Sequence, residues 1–136
     1  VNSGVLGLTP VSLQEFKSTN DNAILNASDL AMQDFARESL GYENQKGLDF
    51  IARFNDKYIL GEAKFLSDFG GHQNAQLNDA LNLLNSEILH KNVIKIAILD
   101  GVCYIKNQGK MFETLMAHKD KNIFSALLLR DFLYQV

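Results

Sequence analysis

Four scarcities frame this 136-residue chain. It has one cysteine, Cys103, so neither a disulfide framework nor a cysteine zinc cluster can be built, and a reducing, cytoplasmic setting is expected. It has one proline, Pro10, which leaves the rest of the chain free to form regular elements. No apolar run reaches membrane-spanning length, because polar residues interrupt each one. Positive charge is also scarce: the formal net charge is −3, which argues against a sequence-blind nucleic-acid coat but not against an enzyme with an acidic site. Val1 to Pro10 shows no basic segment leading into an apolar one, so no signal peptide is expected.

What is present reads as a folded domain. Apolar residues make up 46% and charged residues 21%, a balance that supports a buried core rather than disorder. The expectation is one domain over residues 1–136, or a piece of a longer chain, since the first residue is Val rather than Met. Val11 to Thr19 predicts a short helix. Ser28 caps a clearer one that carries Leu30, Met32, Phe35 and Leu40 and stops at Gly41. Leu48 to Phe54 and Lys57 to Phe65 predict two strands about the turn dipeptide Asn55-Asp56. Gln73 to Leu89 predicts a helix, and the β-branched run Val93 to Leu99 a buried strand. Further on, Asp100-Gly101 predicts a turn, Val102 to Ile105 a short returning strand and Lys110 to His118 a helix. Ile123 to Leu129 predicts a last strand, and Arg130 to Gln135 a last helical turn. Strand, helix and strand between Lys57 and Leu99 make a right-handed parallel crossover. The fold class is therefore α/β: a mixed β-sheet with an antiparallel hairpin and a parallel crossover, flanked by helices.

The hairpin carries the chemistry. With a two-residue loop at Asn55-Asp56, Phe54 pairs with Lys57, and counting outward sets Asp49 opposite Glu62. Opposed residues share a face with Cβ atoms about 5 Å apart, and two like charges so placed need a compensating cation. Mg²⁺ suits them, because it prefers oxygen ligands and keeps several waters. Lys64, two residues beyond Glu62, projects from the same face, where an ammonium can hold a water and help deprotonate it, or stabilise charge on a phosphate. The plainer reading is that Glu62 and Lys64 decorate an exposed edge strand. It is disfavoured because Ile59, Leu60, Gly61, Ala63 and Phe65 around them are apolar or small.

Leu48-Asp49 followed by Glu62-Ala63-Lys64 resembles the PD-(D/E)xK motif of restriction-endonuclease-like nucleases, with Leu48 in place of the motif's proline. The resemblance runs from Ser28 to Leu99, and Ile59 to Gln76 looks most like Type II restriction endonucleases. It implies a restriction-endonuclease-like core and Mg²⁺-dependent hydrolysis of double-stranded DNA at a specific site by a homodimer with no membrane association. Asp49, Glu62 and the Ala63 carbonyl would bind metal, and Lys64 would position water. An acidic residue of the preceding helix, best matched by Glu38, would assist. A glutamine of the following helix would too, either Gln73 or Gln76. His72, after two glycines, lies where a phosphate or base edge can be met, and with Gln73 it is a DNA-binding candidate. A solvated loop residue is the plainer reading of His72. Asp68, Asp79 and Asp100 show no partner pattern, and the lysines of the C-terminal half, among them Lys91, Lys95, Lys106, Lys110 and Lys121, are candidates for phosphate contact. Two other readings stand beside this one: a junction resolvase or repair endonuclease on the same core, and a non-catalytic α/β assembly domain.

Overall fold

The computed structural model describes residues 7–43, 48–68, 70–88, 90, 92–105 and 111–136. Val1, Leu89, Lys91, Lys106 and Lys110, used in the expectations above, lie outside them. Five strands form one sheet in the order β1-β2-β3-β4-β5: β1 Ala23–Ile24, β2 Phe50–Phe54, β3 Lys57–Leu66, β4 Val93–Gly101 and β5 Ile123–Phe124. β1, β2 and β3 are antiparallel neighbours, whereas β3, β4 and β5 run parallel. The mixed sheet with its front hairpin and parallel crossover is the architecture expected of a restriction-endonuclease-like core.

The helices follow from local sequence. α1 (Leu13–Ser18) is capped by Ser12, whose side chain accepts from the Glu15 N–H. α2 (Asp29–Leu40) is capped in the same way by Ser28 and ends on Gly41 in the left-handed conformation that glycine adopts without penalty. It lays Met32, Phe35, Ala36 and Leu40 against Ile51 and Leu60 of the sheet. α3 (Gly71–Asn85) is the crossover helix, and it buries Leu77, Ala80, Leu81 and Leu84 on Leu66, Ala97 and Leu99. α4 (Met111–Ala117) joins that layer through Met111 and Leu115. α5 (Leu129–Gln135) covers the opposite face, with Leu129 and Leu133 among Phe50, Phe54, Ile59 and Ile96.

The hairpin turn has φ of 53° at Asn55 and 64° at Asp56, the two left-handed residues that a two-residue type I′ loop needs. It fixes the register Phe54↔Lys57 through Phe50↔Gly61. Three expectations are corrected. Val102–Tyr104 is a 3₁₀ turn and not a returning strand, because β4 already has β3 on one edge and β5 on the other. Asp100 and Gly101 are the last residues of β4, not a free turn. The last strand is only Ile123–Phe124: the Asp100 carboxylate accepts the Ala126 N–H, and the chain turns into a 3₁₀ segment, Ala126–Leu128. β1, which no periodicity marks, is held by its pairing with Ala52 and Arg53.

Among the described residues, Arg53 is the largest fully buried side chain. Its guanidinium donates to the Asp21 and Phe16 carbonyls and to the Thr19 hydroxyl, and it stacks on the Phe16 ring. It thereby ties α1 and the following loop to the hairpin.

Candidate active site

β3 presents Leu60, Glu62, Lys64 and Leu66 on the face covered by α2 and α3, since alternate residues share a face. Leu60 and Leu66 are fully buried at either end of this row, and Glu62 between them is only 2% exposed. One carboxylate oxygen, Oε1, lies 2.9 Å from the Lys64 Nζ. The other, Oε2, is buried and has no hydrogen-bond partner among the described residues. Buried polar atoms are nearly always paired, so this orphan oxygen marks a place that something else completes. Burial pushes the Glu62 carboxyl above its usual range, the nearby charges of Asp49 and Asp79 push it further, and the Lys64 hydrogen bond opposes them. The same hydrogen bond raises the Lys64 ammonium and keeps it charged.

Asp49 stands at the mouth of this pair, in a position that the sequence count placed only in part. The ladder holds the counted register as far as Phe50↔Gly61. Beyond it the Asp49 N–H also donates to the Gly61 carbonyl, at 2.7 Å. Phe50 and Asp49 thus both meet Gly61, the two-against-one arrangement of a bulge, which re-aims a side chain at the end of a ladder. The Asp49 carboxylate reaches across to accept the Ala63 N–H at 2.7 Å. Asp49 is therefore not the direct cross-strand partner of Glu62, although its charge acts on both Glu62 and Lys64. Gly61 permits the close approach: a Cβ there would stand 2.0 Å from Cε1 of Phe50, whose ring folds over the glycine.

The remaining candidates divide. Glu38 sits near the C-terminal end of α2, with its side chain 69% exposed and 3.9 Å from Arg37. Its neighbours Ser39 and Leu40 line a cavity with Tyr58, four residues and roughly 13 Å along β3 from Glu62. At the other end of α2, Asp29 lines a cavity of about 220 Å³ with Asp49, Phe50, Asn26 and Met32. No sequence signal marks it, since its place follows from β1, which precedes α2 and pairs with β2.

Gln73 is engaged at the start of α3, where its Oε1 accepts the Ser67 N–H at 3.0 Å. Gln76 and His72 pair one turn apart at 3.3 Å. Asp79, which showed no partner pattern in sequence, projects its charge onto both Glu62 and Lys64. Lys95 is not available to a phosphate, because its ammonium caps the end of α3 on the Leu84 and Ser86 carbonyls.

Among the described residues, no group of three or more His, Cys, Asp or Glu side chains is arranged to hold a metal ion. The donors present nonetheless suit a hard divalent cation, which takes one or two carboxylates and fills its other positions with water. Asp49 is exposed and Glu62 offers an unpaired oxygen. No helix among the described residues is long and apolar enough to cross a membrane.

Comparison with known proteins bears on the chain as a whole. No curated protein and no solved structure matches the chain. The family model of the Tsp45I type II restriction enzyme matches residues 1–136, the whole sequence. The mixed sheet and the match over residues 1–136 agree: the chain belongs to the Tsp45I type II restriction enzyme family, and it is a nuclease that acts on DNA.

Proposed function

We propose that this nuclease is a Mg²⁺-dependent endonuclease that cuts both strands of a specific duplex DNA site as a homodimer, with Asp49, Glu62 and Lys64 as its catalytic centre. The observation that carries the reading is the buried, unpaired Glu62 Oε2 beside the Lys64 ammonium. A carboxylate oxygen without a donor in an apolar row is costly, and a divalent cation relieves that cost.

Asp49 and Glu62 would hold the ion, with the Ala63 carbonyl beside them. When bound, Mg²⁺ supplies Lewis-acid stabilisation of negative charge on the phosphodiester and its leaving oxygen. Lys64, 2.9 Å from Glu62, acts as a donor and an electrostatic stabiliser beside the ion. It orients the attacking water and neutralises charge on the phosphate. Asp49, by holding the Ala63 N–H, fixes the edge of β3 from which both Glu62 and Lys64 project. Asp29, which shares a cavity with Asp49, takes the supporting role that the motif assigned to an acid of α2 and that Glu38 lies too far away to fill. Gln76 and His72, on the exposed first turns of α3, face the route by which DNA would approach, and Gln73 holds the strand end beneath them. Two-fold symmetric cutting suits a two-fold symmetric protein, hence the homodimer.

The test is cleavage of duplex DNA with and without Mg²⁺. Cleavage that needs the ion and is lost on Lys64→Ala supports the reading, and equal cleavage in the presence of a chelator would refute it.

A further inference from the structure

We propose that Asp79 of α3 is a positioning residue that takes over the Lys64 ammonium when Glu62 turns to a divalent cation. The proposal rests on the function proposed above.

The need for such a partner follows from the ion pair. Glu62 gives one oxygen to Lys64 and leaves the other unpaired and buried. A cation bound by Glu62 competes with the ammonium for the same carboxylate. Lys64 must then either leave the site or find a second anion, and on leaving it could not orient water.

The packing of α3 supplies that anion. α3 crosses from β3 to the parallel β4, so it runs antiparallel to both strands. Leu83 shares a buried cluster with Leu60, and Gln73 accepts the Ser67 N–H. One helical turn rises about 5.4 Å and two strand residues about 6.6 Å, so successive turns meet successive same-face residues. Counted from Leu83 and Leu60, Asp79 lies about 6 Å back along the helix and Glu62 about 6.6 Å along the strand, so the two fall nearly level. The neighbouring Ala80 is fully buried, which turns this side of the helix toward the sheet and leaves Asp79 half-buried at the rim. The electrostatics agree: Asp79 adds to the upward displacement of Glu62, which burial dominates, and of Lys64, which the ion pair dominates.

The carboxylates Asp49, Glu62 and Asp79 carry three negative charges against the single positive charge of Lys64. Binding one divalent cation balances the set, and Asp79 then keeps Lys64 on the substrate side of Glu62.

A double-mutant cycle read by Mn²⁺ affinity, measured calorimetrically on the full chain, tests this. In the native background Asp79→Asn should weaken Mn²⁺ binding by roughly three- to tenfold, because Lys64 is left with Glu62 alone and competes harder with the ion. In a Lys64→Met background the same substitution should change affinity by less than about twofold. Asp79→Glu, which keeps the charge, should restore most of the native affinity. An unchanged affinity in Asp79→Asn overturns the proposal, and so does an equal loss in both backgrounds, which would mean that Asp79 acts on the cation without Lys64. Should Asp79→Asn fail to fold, Asp79→Ser at this half-exposed helix position carries the same cycle. Native protein that binds no Mn²⁺ overturns the proposed function and this inference with it. Native binding with additive variants overturns this inference alone.

Discussion

Gly61→Ala is the sharpest test of how the fold holds the site. The added Cβ would lie 2.0 Å from Cε1, 2.2 Å from Cζ and 2.7 Å from Cδ1 of Phe50. The ring cannot simply move aside: Phe50 is 3% exposed and packed in one cluster with Ile24, Ala52, Phe54, Ile59 and Ile96. Either that cluster or the β2–β3 pairing has to give. Overpacking of this kind costs about 2–3 kcal/mol, which for a domain of this size lowers the melting temperature by roughly 6–12 °C. The damage should reach the site, since Asp49 follows Phe50 in space through its hydrogen bond to the Gly61 carbonyl and its grip on the Ala63 N–H. We expect Mn²⁺ affinity to fall with stability. Phe50→Leu removes the clashing atoms. In the double variant the loss of stability should therefore be smaller than the sum of the single losses by about 1 kcal/mol or more. Chemical denaturation of the four proteins measures this. Gly61→Ala within about 0.5 kcal/mol of the native protein, or strictly additive losses, would refute the argument.

Three further outcomes follow. Arg53→Met should destabilise the fold by about 2–4 kcal/mol, because the Asp21 and Phe16 carbonyls and the Thr19 hydroxyl lose their donor; a denaturation midpoint unchanged from the native protein would contradict this. Glu62 has a folded-state pKa above its unfolded value, owing first to burial. Its contribution to stability is thus fully present below the ordinary carboxylate range and is lost as pH rises through the raised value. Without divalent ions the native protein should lose stability over that rise relative to Glu62→Gln, and parallel melting-temperature profiles for the two would exclude it. Mg²⁺ at about 100 times its dissociation constant should stabilise the native protein by roughly 2.7 kcal/mol and leave the Asp49→Asn, Glu62→Gln double variant unmoved in thermal melts.

Much of this fold was legible because its strongest signals are local. Asn55 and Asp56 tolerate left-handed backbone, so the turn, and from it the register down to Phe50↔Gly61, could be counted from sequence. Ser28 and Gly41 bracketed α2 for equally local reasons. What escaped depends on tertiary context. β1 is two residues long and is held by long-range pairing, with β2 on one side and Val11 on the other. Val102–Tyr104 failed to become a strand because both edges of β4 were already occupied, a fact that no window of sequence contains.

The site divides along the same line. Glu62 and Lys64 were readable as two charges in an apolar strand, and the structure joins them at 2.9 Å. The Asp49 bulge was not readable, since alternation carries a count straight through a ladder end. Asp79 was passed over because the residues on which its charge acts, Glu62 and Lys64, lie on another element. Asp29 and Glu38 are equally acidic residues of one helix, and only the direction in which α2 crosses the sheet separates them.

The central claim is that Asp49, Glu62 and Lys64 form one cation-dependent nuclease centre. Single-turnover cleavage of a mixed-sequence duplex in Mg²⁺, by the native protein and by Lys64→Ala, tests it most directly. The account predicts discrete duplex fragments from the native protein, none in chelator, and a loss of roughly 10²-fold or more in rate for Lys64→Ala measured on folded protein. Cleavage by folded Lys64→Ala at the native rate would contradict it.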